Sequence, residues 1–161
     1  MKNTFWLFAF IAILLLNSCN QTVVVDKNNP LKNELWNYEQ HQDFEVPIED
    51  TTIHYNIYIN IRHSFHFEWR NLWVEVNTQF PSGKKLSKRV NLALSEADGK
   101  WFGDCSSDDC FIQIPIQENA LFPEKGNYTF SISQDMRVNP LRNIRNVGLK
   151  VEKALQIKAE D

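Results

Sequence analysis

Apolar and polar side chains alternate without a break over residues 53–62. Successive side chains of a β-strand point to opposite faces, so a period of two predicts a strand with one buried and one solvated face. The apolar positions are Ile53, Tyr55, Ile57, Ile59 and Ile61, and the polar positions are His54, Asn56, Tyr58, Asn60 and Arg62. The isoleucine-rich face of this strand therefore has to be covered by another layer.

A second alternation occupies residues 72–80 and ends at a turn signal. The alternating positions are Leu72, Val74, Val76, Thr78 and Phe80, and Pro81-Ser82-Gly83 follows them. Proline and glycine together are typical of a tight turn, so the sequence predicts a hairpin in which residues 84–94 pair with this strand. Asp98-Gly99 and Gly126-Asn127 are further turn signals.

Shorter apolar runs complete the pattern, at residues 36–46, 65–69, 111–116, 128–133 and 147–155. The sequence contains no long amphipathic helix, and residues 135–146 have room for one helical turn within an exposed, arginine-rich connector. About eight short strands separated by turns predict an all-β fold, an antiparallel β-sandwich of the jelly-roll or immunoglobulin-like kind. We assign this single domain to residues 35–161.

The N-terminus carries an export signal. Lys2 precedes the twelve apolar residues 5–16, which are shorter than the roughly 20 that a stable membrane span needs. The run leads into Leu-Asn-Ser-Cys at residues 16–19, which resembles a bacterial lipobox. We therefore expect a signal peptide over residues 1–18 and a lipid anchor on Cys19. A plain signal peptide with an incidental cysteine, or an uncleaved helix, are the alternatives.

Polar and asparagine-rich residues follow the cysteine. We interpret residues 19–34 as a flexible, lipid-anchored tether in which only residues 23–25 could form a short strand. The first acidic residue after Cys19 is Asp26. The acidic run that directs some lipoproteins to the cell surface is therefore missing, which favours the periplasmic face of the outer membrane.

Charge and motif content exclude several function classes. The chain has 17 basic and 20 acidic residues, and removing Lys2 with the signal leaves 16 against 20. A net charge near −4 gives no field for nucleic acid. The chain lacks G-x-S-x-G, H-E-x-x-H and glycine-rich phosphate-loop motifs. We expect no enzyme activity, no cofactor and no small-molecule substrate.

Cys105 and Cys110 remain once Cys19 is assigned to lipid. An even pair in an exported chain predicts a disulfide, here a clip on a short loop. A C-x4-C metal site would need a second ligand pair, which is absent. His63 and His66 would point to opposite faces of a strand, so we interpret them as solvent-facing or turn residues, and Asp108 and Asp109 as solvated loop charges.

Four tryptophans lie outside the signal: Trp36, Trp69, Trp73 and Trp101. Core or interface packing is the favoured interpretation, and a sugar-stacking platform is the alternative. In an unbroken strand Trp69 and Trp73 would share one face, unless a bulge intervenes near Arg70. Asp50-Thr51-Thr52 resembles an O-glycosylation acceptor at Thr51, although an ordinary turn before the Ile53 strand is the favoured interpretation.

Several segments occur in a characteristic order after the cysteine. They are Trp36 with Phe44, YNIYINIRH (55–63), NLWVEV (71–76), FPSG (80–83), ADGKWFG (97–103), GNYTFSISQDMR (126–137) and IRNVGLKVE (144–152). Together with the lipobox this ordered set resembles the gliding motility lipoprotein GldH family of Bacteroidota. The loop with Cys105 and Cys110 departs from the glycine-rich turn of that family.

The resemblance implies a non-catalytic envelope lipoprotein that gliding requires and that is linked to the motility and type IX secretion machinery. Its implied partners are membrane lipid, through acylated Cys19, and other envelope proteins of that machinery. Only Cys19 transfers as a functional residue. Met136-Arg137, with Gly148, would form either a partner-facing edge or a structural corner. A glycan-binding surface lipoprotein with a tryptophan-lined sandwich is the alternative function.

Overall fold

A computed structural model describes residues 22–154. The predicted signal peptide, Cys19 with the two residues after it, and the last seven residues lie outside this range. The described part contains eleven strands and one 3-10 turn, Lys32–Glu34, and none of its helical segments is long or apolar enough to cross a membrane. The strands are β1 Val23–Pro30, β2 Leu35–Trp36, β3 Gln42–Ile48, β4 Tyr55–Ser64, β5 Asn71–Gln79, β6 Lys85–Ala93, β7 Asp104–Ser106, β8 Asp109–Ala120, β9 Gly126–Gln134, β10 Leu141–Arg142 and β11 Ile144–Lys153.

Two antiparallel sheets pack face to face as a β-sandwich. The first has the order β1-β11-β4-β8-β7, the second the order β3-β9-β5-β6, and β10 pairs with β2 in a small third sheet. The predicted fold class is confirmed, with eleven strands in place of about eight. The predicted hairpin is also confirmed, since β5 pairs with β6 from Asn71 opposite Ala93 to Gln79 opposite Lys85.

The core forms where the alternating faces of the two sheets meet. Tyr55, Ile57, Ile59 and Ile61 of β4 are all buried, as the period of two predicts. The second sheet contributes the inner residues of β3, β5 and β9. The largest side chains with under 2% exposure include Trp36, Phe44, Tyr55 and Tyr128.

Antiparallel pairing gives the sandwich two distinct ends. The near end contains the start of β1 at Val23 and the loops 49–54, 80–84 and 121–125. The far end contains the loops 31–41, 65–70, 94–103 and 135–143 and the tip of the β7–β8 hairpin. Because β4 runs from one end to the other over ten residues, about 33 Å separates them.

The interpretation of residues 19–34 as a tether is wrong from Val23 onward. Val23–Pro30 form β1, which pairs with β11 from Glu152 to Asn146. Only Val25 of this edge strand is a buried hydrophobic residue, so backbone hydrogen bonds and polar contacts hold it rather than an apolar face. Asp26 illustrates this, since its Oδ1 accepts a 3.2 Å hydrogen bond from the buried amide of Asn60.

Two smaller expectations also fail. Residues 65–69 form a turn rather than a strand, because the Ser64 hydroxyl accepts a hydrogen bond from the backbone of His66 and closes the chain on itself. Residues 135–146 contain no helical turn. Instead Leu141–Arg142 form β10, and β11 already begins at Ile144.

Candidate functional site

Exposed hydrophobic side chains concentrate at the far end. Eight large hydrophobic residues of the described range are exposed, and five of them lie in far-end loops. Those five are Tyr38, Phe65, Trp69, Phe102 and Val138, each 36–40% exposed. Loops that carry exposed aromatic residues on a rigid scaffold are typical of interaction sites.

Trp69 lies at the mouth of a cleft of about 470 Å³ between two far-end loops. The cleft is lined by Trp69, Asn71, Trp73, Arg89, Asp135, Met136 and Arg137. A smaller hollow on its other side joins Trp69 to Val138. We call Tyr38, Trp69, Met136, Arg137 and Val138 together the far-end surface.

Hydrogen bonds with the side chains of Gln134 and Tyr38 hold the loop that carries Met136 and Arg137. Gln134, which is buried, accepts a hydrogen bond from Met136 N and donates one to the carbonyl oxygen of Val138, at 2.9 and 3.1 Å. The Tyr38 hydroxyl donates to the carbonyl oxygen of Met136 at 2.8 Å. Met136 thus forms a structural corner, and the adjacent Arg137 is exposed.

Arg137 differs from its arginine neighbour in the cleft. Arg89 pairs with Asp135 and stacks on Trp73, with its guanidinium carbon 4.1 Å from the ring centroid. Within residues 22–154 Arg137 forms no ion pair. The cleft therefore offers one uncompensated cation beside an open indole ring, which suits a partner that is both aromatic or apolar and anionic.

The four tryptophans do not form one platform. Trp36 is fully buried, with Nε1 donating to the carbonyl oxygen of Gln40 at 2.8 Å, and Trp101 is half-buried beside His63. Arg89 covers one face of Trp73, and the Trp73 backbone N–H donates to Met136 Sδ. Trp69 and Trp73 share the cleft although Trp69 precedes β5, and only Trp69 of the four has an exposed side chain.

Arg145 at the start of β11 organises a second cluster. Its guanidinium lies 2.9 Å from Glu34, 2.8 Å from Asp108 and 3.0 Å from Asp109. Arg62 also pairs with Asp109. Partial burial opposes ionisation of Asp109, but hydrogen bonds from Arg145 and Arg62 outweigh it and keep the pKa of this carboxyl below its usual value.

Asp108 is an exposed turn residue, as expected of a solvated loop charge, whereas Asp109 is half-buried at the start of β8, and both pair with Arg145. They tie the tip of the β7–β8 hairpin to β11 and to the 3-10 turn. The Cys105–Cys110 disulfide closes the same hairpin, which confirms the predicted pairing. The cluster has a structural role, since both Asp109 oxygens and one oxygen each of Asp108 and Glu34 pair with an arginine, and the second Asp108 oxygen accepts a hydrogen bond from the backbone of Phe65.

His63 is buried, contrary to the expectation of a solvent-facing or turn residue. Its Nδ1 lies 2.9 Å from the carbonyl oxygen of Ser64, and its Nε2 finds no hydrogen-bond partner within the described residues. The ring packs against Trp101 and Phe67, and burial lowers the pKa of this histidine. His66 is exposed, and residues 22–154 contain no group of histidine, cysteine and acidic side chains placed to hold a metal.

Asp50-Thr51-Thr52 forms a turn at the near end. Oδ1 of Asp50 accepts hydrogen bonds from the backbone and the hydroxyl of Thr52, at 2.8 and 2.6 Å. These bonds lower the pKa of Asp50. The ordinary-turn interpretation accounts for this sequence, and glycosylation of Thr51 stays a prediction.

Cys19 lies outside the described residues, but the position of β1 limits how far it can be from the domain. The carbonyl oxygen of Thr22 accepts a hydrogen bond from Lys153 at 2.7 Å, so the chain is fixed to the near end from residue 22. Two residues, and so three Cα–Cα steps, separate this point from Cys19. An extended chain of that length spans about 11 Å at most.

Comparison with known proteins points to one family over almost the whole domain. The model of the family described as GldH lipoprotein matches residues 23–151, from the first residue of β1 to near the end of β11. A relative from Christiangramia forsetii, named gliding motility lipoprotein GldH homolog, is 31% identical over 96% of this chain and 99% of its own length. The gliding motility lipoprotein GldH of Flavobacterium johnsoniae is 27% identical over 88% of this chain and 92% of its own length.

Proposed function

This chain belongs to the GldH lipoprotein family, and from that membership we propose that it is a non-catalytic structural component of the cell envelope required for gliding motility. In this proposal Cys19 carries the lipid and holds the domain on the periplasmic face of the outer membrane. The domain then contacts other envelope proteins of the motility and type IX secretion machinery.

The observation that carries the proposal is that the chain leads to Cys19 from one end of the sandwich, whereas the exposed aromatic residues lie at the opposite end. The chain enters the sandwich at the near end, within about 11 Å of Cys19. The exposed aromatic residues lie at the far end, about 33 Å away along β4. A domain anchored at one end, with a group of exposed aromatic residues at the other, is suited to presenting a docking surface at a fixed height above the lipid.

The composition of the far-end surface supports binding rather than catalysis. Tryptophan, tyrosine and arginine dominate the energetically important positions of protein interfaces, and Trp69, Tyr38 and Arg137 provide one of each. Three titratable groups close to this end are engaged in packing or ion pairs: His63 is enclosed by aromatic rings, and Asp108 and Asp109 face Arg145.

Gene replacement in a gliding host that depends on this gene tests the proposal. Deletion should abolish colony spreading, and the wild-type gene should restore it. Cys19→Ala should fail to restore spreading because the unacylated domain leaves the membrane fraction. Normal spreading after deletion, or full restoration by Cys19→Ala, would contradict the proposal.

A glycan-binding role rests on Trp69, which is 39% exposed beside a cleft. It is less well supported, because none of the other three tryptophans has a free ring. Trp36 is buried, Arg89 covers one face of Trp73, and Trp101 is half-buried against His63. Protease treatment of intact cells separates the two functions. A surface glycan receptor should be digested, whereas a domain on the periplasmic face should be protected until the outer membrane is opened.

A further inference from the structure

Leu121 is the most exposed large hydrophobic side chain of the described residues, at 56%, and it belongs to the near end. It directly follows β8 and opens the loop 121–125, which leads into β9. Val23, where β1 begins, is also exposed, at 43%. Two exposed hydrophobic residues thus lie at the end from which the chain leads to Cys19.

The loop that carries Leu121 is rigid. The next residue, Phe122, is buried and packs edge-on against Tyr128 and Tyr55, with ring centroids 4.8 and 5.3 Å away. The backbone N–H of Glu124 donates to the Tyr128 hydroxyl, and the Glu124 carboxylate accepts two hydrogen bonds from Ser82 at 2.9 Å. A loop fixed in this way cannot fold Leu121 back onto the core.

The short connection to Cys19 limits how far the near end can lie from the membrane surface. If Cys19 is acylated, its glyceryl group lies at the lipid–water interface. The chain is fixed from Thr22, so the near end stays within about 11 Å of that interface. The headgroup layer on each side of a bilayer is itself roughly 5–8 Å thick, so even a fully extended connection leaves the near end within a few ångströms of the headgroups.

We propose that the near end of the sandwich rests on the lipid surface and that Leu121 inserts among the headgroups as a second membrane contact beside acylated Cys19. The inference depends on the proposed acylation. It fixes the orientation of the domain, because contact at the near end keeps the far-end surface pointing away from the membrane.

The charges at the near end indicate which lipid headgroups the proposed membrane contact requires. Its loops and the end of β11 carry three basic and three acidic side chains, namely Lys84, Lys125 and Lys153 against Glu49, Asp50 and Glu124. A balanced surface gains little from anionic lipid. The contact should therefore form on zwitterionic phosphatidylcholine vesicles and should change little with salt.

A fluorescent label read against lipid-borne quenchers tests the inference in the full acylated protein. Leu121→Cys carries the environment-sensitive label NBD, and Val138→Cys at the far end carries the same label as a matched control. The disulfide occupies Cys105 and Cys110, so the introduced thiol is the reactive one. The proteins are reconstituted in phosphatidylcholine vesicles with or without spin-labelled lipid.

The label at position 121 should shift to shorter wavelength and lose most of its fluorescence to the spin-labelled lipid, while the label at 138 should do neither. Equal behaviour of the two labels in protein that floats with the vesicles would overturn the inference and leave the anchor intact. If wild-type protein itself fails to float with vesicles, the acylation fails and the inference fails with it.

Discussion

The side chain of Asn28 on β1 occupies the space where Gly148 of β11 has no Cβ. A Cβ at position 148 would overlap Oδ1 of Asn28 and approach the carbonyl oxygen of Lys27 to 2.6 Å. Gly148 lies between Asn28 on β1 and Asn60 on β4 in the strand register. The glycine therefore allows β1, the edge strand that leads to Cys19, to pair closely with β11.

Gly148→Ala should destabilise the domain by about 1–3 kcal/mol, the usual cost of forcing an extra methyl group into a packed site. Denaturant unfolding of the soluble domain measures this. Asn28→Gly combined with Gly148→Ala should recover part of the loss, because only the Lys27 carbonyl then remains in contact. An unchanged midpoint for Gly148→Ala would show that β1 is not held as described.

Arg145→Gln should lower the free energy of unfolding by about 1–3 kcal/mol, between the values for exposed and buried ion pairs, since the Arg145 side chain is 25% exposed. Three carboxylates lose their shared partner at once. Arg142→Gln is the matched control, because Arg142 is exposed and forms no ion pair within the described residues. Equal effects of the two substitutions would remove the structural role assigned to Arg145.

Stability should fall as the pH drops below 6.5, the ordinary pKa of histidine. Burial lowers the pKa of His63 in the folded state, so the unfolded chain takes up the proton first. The loss should approach 1.4 kcal/mol per pH unit until the folded-state pKa is reached. Neighbouring Asp109 and Arg145 act in opposite directions and do not reverse the sign.

Thermal or denaturant unfolding at a series of pH values between 7 and 5 tests this expectation. His63→Phe should flatten the profile, whereas His66→Asn should leave its slope unchanged because His66 is exposed. A wild-type profile as flat as that of His63→Phe would show that the histidine takes up its proton without cost.

Lys88→Val should increase self-association. Lys88 lies opposite Val76 on the edge strand β6, in phase with the buried Leu92, and so points along the inner face of the sheet. An inward-pointing charge on an unpaired edge discourages pairing with another edge strand. Light scattering should detect the association, and Lys85→Val, which alters the opposite face of the same strand, should remain monodisperse.

Sequence periodicity correctly predicted the strands that bury one apolar face in the core. β4 and the β5–β6 hairpin follow directly from alternation, and Gly83 stands at the predicted turn with φ of +85°. Beyond the possible short strand at residues 23–25, β1 was not predicted. It is an edge strand held mainly by backbone hydrogen bonds, and it has no continuous apolar face that alternation would reveal. The burial of His63 could have been inferred, since it continues the phase of Ile57, Ile59 and Ile61.

The far-end surface could not have been predicted in the same way. Trp69 and Arg137 are 68 positions apart and meet only because two loops leave the same end of the sandwich. Neither loop has a periodic pattern, and the rigidity of the second depends on Gln134, a buried amide with no distinguishing sequence context. From the sequence, Met136-Arg137 could form either a partner-facing edge or a structural corner, and the structure was needed to show that Met136 is held as a corner while Arg137 is exposed.

Colony spreading of a gliding host that depends on this gene, carrying chromosomal Trp69→Ala with Arg137→Ala, tests the central claim most directly. Both residues are exposed, so the double variant should accumulate in the membrane fraction at the wild-type level. We predict that spreading is lost although the protein is present and anchored. Wild-type spreading by these cells would contradict the assignment of the far end as the docking surface.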